Sequence, residues 1–265
     1  MSKPTLSVIM PALNEENNIE AAIRSTIEAF NNHGIDGEVI VVNDGSTDST
    51  KSIVERIIQE ANNVKLINHI KPMGIGYSFW DGIKHSDREI VVSFPGDNEN
   101  DPDDALTFLH LMDHVDIIIP FIHNVEVRDR IRRLISSLYR FIMNISFGIN
   151  LNYLNGTVFY RRLILKEVDL KNFGFFFQAE ILIKLIRKGY LFAEVPNYLG
   201  TRGDGKSKAL TLKSLMQVIK GYLRLAFDIH IRAIETKKNY QKLNKESRSY
   251  RKHLNFQSDL QASEL

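Results

Sequence analysis

Residues 5–50, TLSVIMPALNEENNIEAAIRSTIEAFNNHGIDGEVIVVNDGSTDST, contain a complete strand–helix–strand pattern and decide the fold class. Two short apolar runs rich in Val and Ile, Leu6–Met10 and Val39–Val42, are typical of strands that are buried on both faces. Between them, apolar residues from Ile19 to Phe30 recur at steps of three and four, which predicts an amphipathic helix. This alternation predicts a parallel pair of strands covered by a helix.

The same alternation continues to about residue 120, and the second half of the chain is less regular. We therefore expect an α/β fold with a Rossmann-like, mostly parallel sheet flanked by helices. The further predicted strands are Val64–Asn68, Ile90–Phe94, Val115–Ile119, Gly156–Tyr160 and Leu191–Val195, and the further predicted helices include a face from Ile53 to Ala61, Arg128–Phe147 and Phe175–Lys188.

The composition limits the chemistry that the chain can perform. It has 265 residues, enough for one large domain, and no cysteine, which excludes disulfides and thiolate metal ligands. Residues 202–265 hold 14 Lys and Arg against 6 Asp and Glu, although the net charge of the whole chain is only +2. This basic segment indicates an anionic partner or a solvated terminus, and it matches no recognisable nucleic-acid-binding module.

Three segments are expected along the chain: an α/β domain over 1–210, an amphipathic helix over 211–235, and a basic tail over 236–265. The helix has a mostly basic polar stripe opposite an apolar one. This pattern suits an anionic membrane surface, packing on the domain, or a second subunit. No stretch of the sequence has the pattern of a secretion signal or a membrane-spanning helix, so we expect a cytoplasmic protein, peripheral at the cytoplasmic membrane face.

Polar and acidic residues follow three of the predicted strands. Asn14 and Glu15 follow the first strand, Asp44 follows the second, and Asp97 and Glu99 follow the fourth. Each has an ordinary structural alternative as a helix cap, a turn or a solvated loop. Because ligands of open α/β sheets bind at the carboxyl ends of the strands, their joint placement at one edge favours a binding site.

The two carboxylates after the fourth strand, Asp97 and Glu99, suit a divalent cation such as Mg²⁺ or Mn²⁺, which prefers oxygen ligands. The glycines at Gly74 and Gly76 lack the spacing of a dinucleotide site, and the sequence has no GxxxxGK[ST] phosphate loop. A hydride-transfer enzyme and a P-loop nucleoside triphosphatase are therefore disfavoured.

Several stretches carry a family resemblance. LSVIMPALNEENNI (6–19), EVIVVNDGSTDST (38–50) and KPMGIGYSFWDGI (71–83) resemble the opening of the family 2 glycosyltransferases, which have the GT-A fold. Later stretches resemble the polyprenyl-phosphate glycosyltransferases, a subgroup that includes the dolichol-phosphate mannose synthases. These stretches are RDRIRRLISSLYRFI, NGTVFYRR, GFFFQAEILIKLIRKGY and AEVPNYLGTRGDGKSK.

The resemblance implies roles for individual residues. Asp97 matches the last Asp of the family's DxD motif at the metal and diphosphate, with Glu99 as a further metal ligand. Contacts to the nucleotide-sugar are implied for Pro11, Ala12, Asn14, Glu15, Asp44, Gly74 and Asp97; contacts to the acceptor or to phosphate for Arg128, Arg132, Gln178, Glu180, Ser207 and Lys208; and catalytic roles for Asp97, Glu99 and Arg202.

The sequence departs from the family pattern at three places. Pro95 stands where the first Asp of DxD is usual, which removes one carboxylate from the metal site. Asn155-Gly156-Thr157 replaces an SGF motif, and the Asp usual just before it is replaced by Asn152. The membrane-spanning helices that many relatives carry after this domain have no counterpart in the sequence.

The resemblance implies a metal-dependent, inverting hexosyltransferase that moves a sugar from a UDP- or GDP-sugar to a polyprenyl phosphate at the membrane surface. A glycan hydroxyl acceptor, with Glu180 as the base, is the first alternative. A binding protein that has lost catalysis is the second, motivated by Pro95. A sugar nucleotidyltransferase is disfavoured because residues 11–16 are not a Gly- and Arg-rich loop.

Overall fold

The computed structural model describes residues 5–124, 130–197, 212–231 and Ser247. Within these residues the seven strands that the sequence predicts follow one another in the predicted order, and helices lie between them. The strands are β1 (Thr5–Ala12), β2 (Asp36–Asn43), β3 (Val64–Asn68), β4 (Ile90–Ser93), β5 (Ile117–Ile122), β6 (Phe159–Arg161) and β7 (Phe192–Asn197). The helices are α1 (Ile19–Asn32), α2 (Thr50–Glu60), α3 (Ile75–Lys84), α4 (Pro102–Leu106), α5 (Arg130–Phe147), α6 (Arg162–Leu165), α7 (Phe177–Arg187) and α8 (Leu212–His230), with a 3₁₀ helix at Leu109–Asp113.

The described strands form one seven-stranded sheet in the order β3-β2-β1-β4-β6-β5-β7. β1 pairs in parallel with β2 and β4, β2 with β3, and β5 with β7. β6 runs antiparallel to both of its neighbours, β4 and β5. The predicted mostly parallel sheet flanked by helices is confirmed.

The strands send alternate side chains into two hydrophobic cores, one on each face of the sheet. In β1, Leu6, Val8 and Met10 point to the core that includes residues of α1, α2 and α4. Ile9 points to the opposite core, which includes residues of α3, α5, α7 and α8. All four side chains are fully buried, as expected for a central strand covered on both faces.

The predicted element boundaries differ from the observed ones by a few residues. β3 has the predicted bounds, whereas β5 begins two residues later than predicted, directly after Asp116. The buried carboxylate of Asp116 accepts the N–H of Leu191 at 3.1 Å. α7 ends just before Gly189, whose φ of +85° is the left-handed conformation predicted for a C-cap glycine.

The predicted helix over 211–235 corresponds to α8 where the structure describes it. The rest of that stretch and most of the predicted tail lie outside the described residues. Among the described helices, none combines the length and the hydropathy that crossing a membrane requires.

Candidate active site

The carboxyl ends of β1, β2 and β4 meet at one edge of the sheet, as predicted. The N–H of Asp44 donates to the carbonyl of Ala12 at 2.8 Å, which joins the ends of β2 and β1. The N–H of Gly96 donates to the carbonyl of Pro11 at 2.9 Å, which joins the loop after β4 to β1. Three loops with polar residues therefore start within hydrogen-bonding distance of one another.

The loops after β1 and β2 are bonded together through Asn14. Its side-chain oxygen accepts the N–H of Thr47 at 2.9 Å, and its own N–H donates to Ser46 Oγ at 3.0 Å. Asn14 has a φ of +56°, a left-handed conformation that Asn tolerates better than most residues. Glu15 is held beside it, because its N–H donates to Thr50 Oγ1 at 2.9 Å. Pro11 and Ala12 are buried beneath this pair of loops.

Asp48 fixes the start of α2 and the same pair of loops. Burial alone would raise the pKa of Asp48, but hydrogen bonds outweigh that effect and hold the pKa below its ordinary value. The donors are Thr50 Oγ1 at 2.6 Å, the N–H of Thr50 at 3.0 Å and the N–H of Glu16 at 3.2 Å. Asp48 thus lies one residue before the N-cap of α2, Ser49, and joins the first residue of the helix to the loop after β1.

Asp44, which the resemblance assigns to the nucleotide base, is buried and bonded to the loop before α3. Its carboxylate accepts the N–H of Met73 and the N–H of Gly74, each at 2.8 Å. His69 Nδ1 lies 2.7 Å from the same carboxylate. The described contacts therefore give Asp44 a structural function in holding this loop.

His69 is a residue of this site to which the sequence analysis assigned no role. Its Nδ1 faces Asp44 and its Nε2 lies 3.2 Å from Asp81 Oδ2, and the side chain is only 9% exposed. Both ring nitrogens of His69 therefore face a carboxylate. No sequence-spacing rule predicts that His69 lies between these two carboxylates, since Asp44 is 25 residues and Asp81 is 12 residues away along the chain.

The loop after β4 holds the predicted metal ligands, Asp97 and Glu99. Asp97 is half-buried and accepts the N–H of Glu99 at 3.2 Å, while Glu99 is exposed. Further along the loop, Asn100 accepts a hydrogen bond from Thr157 at 2.7 Å, which brings the Asn155-Gly156-Thr157 segment to this edge.

The donor set of this loop fits a hard divalent cation only in part. Its two carboxylates offer oxygen ligands, and Mg²⁺ in proteins takes few carboxylates and completes its shell with phosphate and water. Pro95 supplies no ligand, and the described residues contain no cluster of three or more His, Asp or Glu that could hold a metal. A cation at Asp97 and Glu99 therefore needs oxygens from a bound diphosphate.

The two acceptor residues predicted on α7 are both buried. Gln178 is 3% exposed and donates through Nε2 to the carbonyl of Gly156 at 3.2 Å, while its Oε1 is buried without a hydrogen-bond partner. Gln178 thus lies next to the Asn155-Gly156-Thr157 segment, which Thr157 joins to the loop that contains Asp97.

Glu180 is 1% exposed and forms a buried ion pair with Lys184 at 2.7 Å. Its carboxylate also accepts the N–H of Lys171 at 3.1 Å, the N–H of Asn172 at 3.0 Å and the side-chain amide of Asn172. Glu180 is therefore not a solvent-facing helix residue. The carboxylate is bonded on both oxygens and holds residues 171–172 against α7.

Gly74 and Gly76 allow residues 173–177 to approach the start of α3. The N–H of Gly76 donates to the carbonyl of Phe173 at 2.9 Å. Gly74 has a φ of +100°, and a Cβ there would lie 2.8 Å from the same carbonyl oxygen. A Cβ at Gly76 would lie 2.7 Å from the Cβ of Phe177. The role of Gly74 in the described structure is therefore close backbone packing.

The remaining predicted site residues are on the acceptor side. Arg132 is half-buried on the first turn of α5. Arg128, Arg202, Ser207 and Lys208 lie outside the described residues.

A family model, Glycosyl transferase family 2, matches residues 7–169. The match covers more than half of the chain, from β1 through β6, and includes the three loops at the carboxyl edge. The chain belongs to glycosyl transferase family 2.

Two relatives from Trichomonas vaginalis are the dolichyl-phosphate beta-glucosyltransferases ALG5A and ALG5D. Each is 31% identical to this chain, over 104 and 97 residues respectively. The matches cover 37% and 35% of this chain and 32% and 30% of the relatives. The chain thus matches about a third of the length of these relatives.

Among solved structures, glucosyl-3-phosphoglycerate synthase from Mycobacterium tuberculosis with uridine diphosphate has a TM-score of 0.63 at 23% identity. The match covers 84% of this chain and 80% of that chain. The same enzyme with Mg²⁺ and uridine diphosphate gives a TM-score of 0.63 at 22% identity, covering 84% and 79%. At these identities the likeness shows the fold, and the predicted GT-A fold is confirmed.

Proposed function

We propose that this protein is an inverting glycosyltransferase that moves a sugar from a UDP- or GDP-sugar to a polyprenyl phosphate. The observation that carries the proposal is the meeting of three polar loops, after β1, β2 and β4, at the carboxyl edge of a family 2 chain. Ligands of open α/β sheets bind at such an edge. The names of the Trichomonas relatives and the uridine diphosphate in the Mycobacterium structures support the donor and acceptor classes.

In this proposal the loop after β1 and the loop after β2 form one wall of the donor site. The hydrogen bonds that Asn14 accepts from Thr47 and donates to Ser46 keep the two loops in one arrangement before the donor arrives. Preorganised loops reduce the ordering that binding must otherwise accomplish. Pro11, Ala12 and Glu15 contact the nucleoside, and Asp44 keeps the Met73–Gly74 backbone in place at the floor of the site.

Asp97 and Glu99 would be the ligands that hold a Mg²⁺ or Mn²⁺ together with oxygens of the donor diphosphate. A cation there would supply positive charge beside the diphosphate leaving group. Arg202 and Lys208, outside the described residues, are proposed to assist at the phosphates. Asn100 and Thr157 keep the Asp97 loop next to the acceptor side of the site.

The reaction is a direct displacement at the anomeric carbon. An oxygen of the acceptor forms the new bond, and the bond to the diphosphate oxygen breaks with its electron pair leaving on the nucleoside diphosphate. A phosphate acceptor is already ionised at neutral pH and needs no general base, whereas a hydroxyl acceptor does. Glu180, the base that the sequence suggests for a hydroxyl, is buried and bonded on both oxygens. This observation favours the phosphate acceptor.

The decisive experiment is a donor screen by calorimetry with UDP- and GDP-sugars, in Mn²⁺ or Mg²⁺, for the wild type and Asp97→Ala. The matched control is Asp103→Ala, which removes an exposed carboxylate from the same acidic stretch. Metal-dependent binding of one donor, lost in Asp97→Ala and kept in Asp103→Ala, supports the proposal. Binding of a donor without turnover on any acceptor would instead support the binding-protein alternative.

The acceptor is tested with the donor that binds. A polyprenyl phosphate, a soluble glycan and phosphoglyceric acid are compared as acceptors, with release of the nucleoside diphosphate as the readout. Transfer to the polyprenyl phosphate alone supports the proposal, and transfer to the glycan alone establishes the hydroxyl-acceptor alternative.

A further inference from the structure

α5 projects large apolar side chains away from the domain along its whole length. Only Met143 and Phe147 of this helix are buried, near its C-terminal end. The opposite face is apolar and between 42% and 72% exposed. The exposed apolar side chains of α5 are Ile131, Leu134, Ile135, Leu138, Phe141, Ile142 and Ile145.

α8 is apolar on two opposite faces. Its inner face buries Leu225 and Ile229 in the core. Its outer face should be polar if the helix only packed on the domain, yet Leu223 is 59% exposed and Phe227 is 48% exposed. The exposed apolar side chains of α8 and the residue after it are Leu215, Met216, Ile219, Leu223, Phe227 and Ile231.

The two helices contact each other, so their outer faces belong to one surface. Ser146 Oγ of α5 lies 2.8 Å from the hydroxyl of Tyr222 on α8, and His230 Nε2 lies 2.8 Å from the carbonyl of Ser146. The ring of Phe147 packs edge-on against Tyr222 with centroids 5.8 Å apart. We call the exposed apolar side chains of the two helices the α5–α8 surface. Soluble monomers rarely expose an apolar surface of this kind unless it has a partner.

The charges around the α5–α8 surface are positive. α5 contains four arginines and no Asp or Glu, and the exposed Arg130 lies one turn from Leu134 of the apolar face. The carboxylate of α8, Asp228, is buried and bonded to Lys171 at 3.0 Å, so it does not reach the outer face. Lys220 and Arg224 of α8 are exposed. Pairing this surface with a second copy of the chain would bring arginines of two α5 helices together with no described carboxylate from either helix to neutralise them.

We propose that the α5–α8 surface docks on a bilayer that carries anionic phospholipids. Its apolar side chains enter the boundary between headgroups and acyl chains, and its arginines and lysines meet the lipid phosphates. An anionic bilayer complements both features of this surface. Its acyl chains accept the exposed apolar side chains, and its phosphates accept the basic residues of two helices whose described residues include no exposed carboxylate. The α5–α8 surface uses no side chain of the three loops at the carboxyl edge of the sheet, so vesicle binding can be tested without the transfer reaction proposed above.

The test is co-sedimentation of the full chain with vesicles of phosphatidylcholine alone and of phosphatidylcholine mixed with phosphatidylglycerol. We expect binding to the anionic vesicles that weakens as salt is raised. The triple variant Leu138→Gln, Phe141→Gln, Leu223→Gln should lower the partition by about tenfold or more, because three apolar groups lose their transfer free energy. Leu163→Gln is the matched control, since Leu163 is 53% exposed on α6, away from this surface.

The electrostatic part is tested by the double variant Arg130→Glu, Lys220→Glu against Lys51→Glu, Lys166→Glu, which makes the same change in net charge elsewhere. About a 25-fold loss for each reversed charge, which is about fivefold for the positive charge removed and again for the negative charge added, is expected only for the first pair. Thermal unfolding and donor calorimetry serve as fold controls, and we expect both to be unchanged in all variants. Equal binding to neutral vesicles, no binding to either vesicle, or a dimer that the triple variant dissociates would overturn the proposal.

Discussion

The carboxylate of Asp44 accepts the backbone N–H of Gly74 at 2.8 Å, so a side chain at the end of β2 fixes the start of α3. The same carboxylate accepts the N–H of Met73, also at 2.8 Å. Two donors that α3 cannot satisfy within itself are thereby satisfied. The floor of the proposed donor site depends on a buried carboxylate that is engaged before any donor binds.

Replacing Asp44 by Asn should lower both stability and donor affinity. An amide has one acceptor oxygen instead of two, so either Met73 or Gly74 loses its partner and faces an NH₂ group. We expect a loss of about 1–3 kcal/mol in the free energy of unfolding, measured in urea. Asp36→Asn is the control, because Asp36 is 49% exposed and pairs only with Arg88 among the described contacts. Unchanged stability with donor binding abolished would mean that Asp44 acts on the donor alone.

Gly74→Ala should be more damaging than the same change at another left-handed glycine. At Gly74 the new Cβ would lie 2.8 Å from the carbonyl oxygen of Phe173, whereas at Gly34, with φ +62°, nothing lies within 4 Å. Gly34→Ala bears only the conformational cost of about 1–2 kcal/mol. Gly74→Ala should lose about 3 kcal/mol in urea unfolding, because the clash adds to the backbone strain. Equal losses at the two positions would show that residues 173–177 move away without cost.

The sequence predicted the sheet well because its signal is local. Apolar runs of four or five residues separated by helical periodicity predict parallel strands, and β3 has the predicted bounds. β6 was harder to delimit, since it has only three residues and its antiparallel direction depends on the pairing of β4 with β5. The carboxyl edge of the sheet was predictable for the same reason, because the C-terminal end of each predicted strand also gives the position of the loop that follows it.

The contacts within the site could not be predicted, because they join residues far apart in the sequence. Asp44 meets Gly74 across 30 residues, and Thr157 meets Asn100 across 57. Glu180 was ambiguous because a charged residue on a helix is ordinarily exposed, yet all residues of α7 from Phe177 to Leu185 are buried. A helix buried on every side has no polar face that periodicity could reveal.

Glu38 should make the stability of the domain sensitive to acid. Burial alone would raise the pKa of Glu38. Hydrogen bonds from the backbone N–H of Asp87, the side-chain ammonium of Lys65 and the hydroxyl of Ser7 outweigh that effect and hold the pKa below the ordinary value of 4.5. A lowered pKa in the folded state means that the stabilisation is complete above about pH 4.5 and is lost as pH falls through the folded-state pKa.

The variant Glu38→Gln tests this linkage. At pH 7 it should be less stable than the wild type by about 1–3 kcal/mol, because charge-assisted hydrogen bonds are lost. The difference should shrink as pH falls below about 4.5, where the wild-type carboxylate becomes protonated. Urea unfolding at a series of pH values measures it. Glu55→Gln, at an exposed i,i+4 pair, should show no such trend, and a constant difference for Glu38→Gln would refute the linkage.

The variant Glu180→Gln tests whether the carboxylate of Glu180 has a structural role or acts as a general base. Its pair with Lys184 at 2.7 Å joins two buried side chains, and leaving Lys184 charged without its partner should cost about 3–5 kcal/mol in urea unfolding. The exposed Lys51–Glu55 pair has the same i,i+4 spacing at 3.5 Å, so Glu55→Gln should cost less than about 1 kcal/mol. Below its melting temperature, the Glu180→Gln protein should still transfer sugar, because an ionised phosphate acceptor needs no base. A variant that stays as stable as the wild type but no longer transfers would instead make Glu180 the base and the acceptor a hydroxyl.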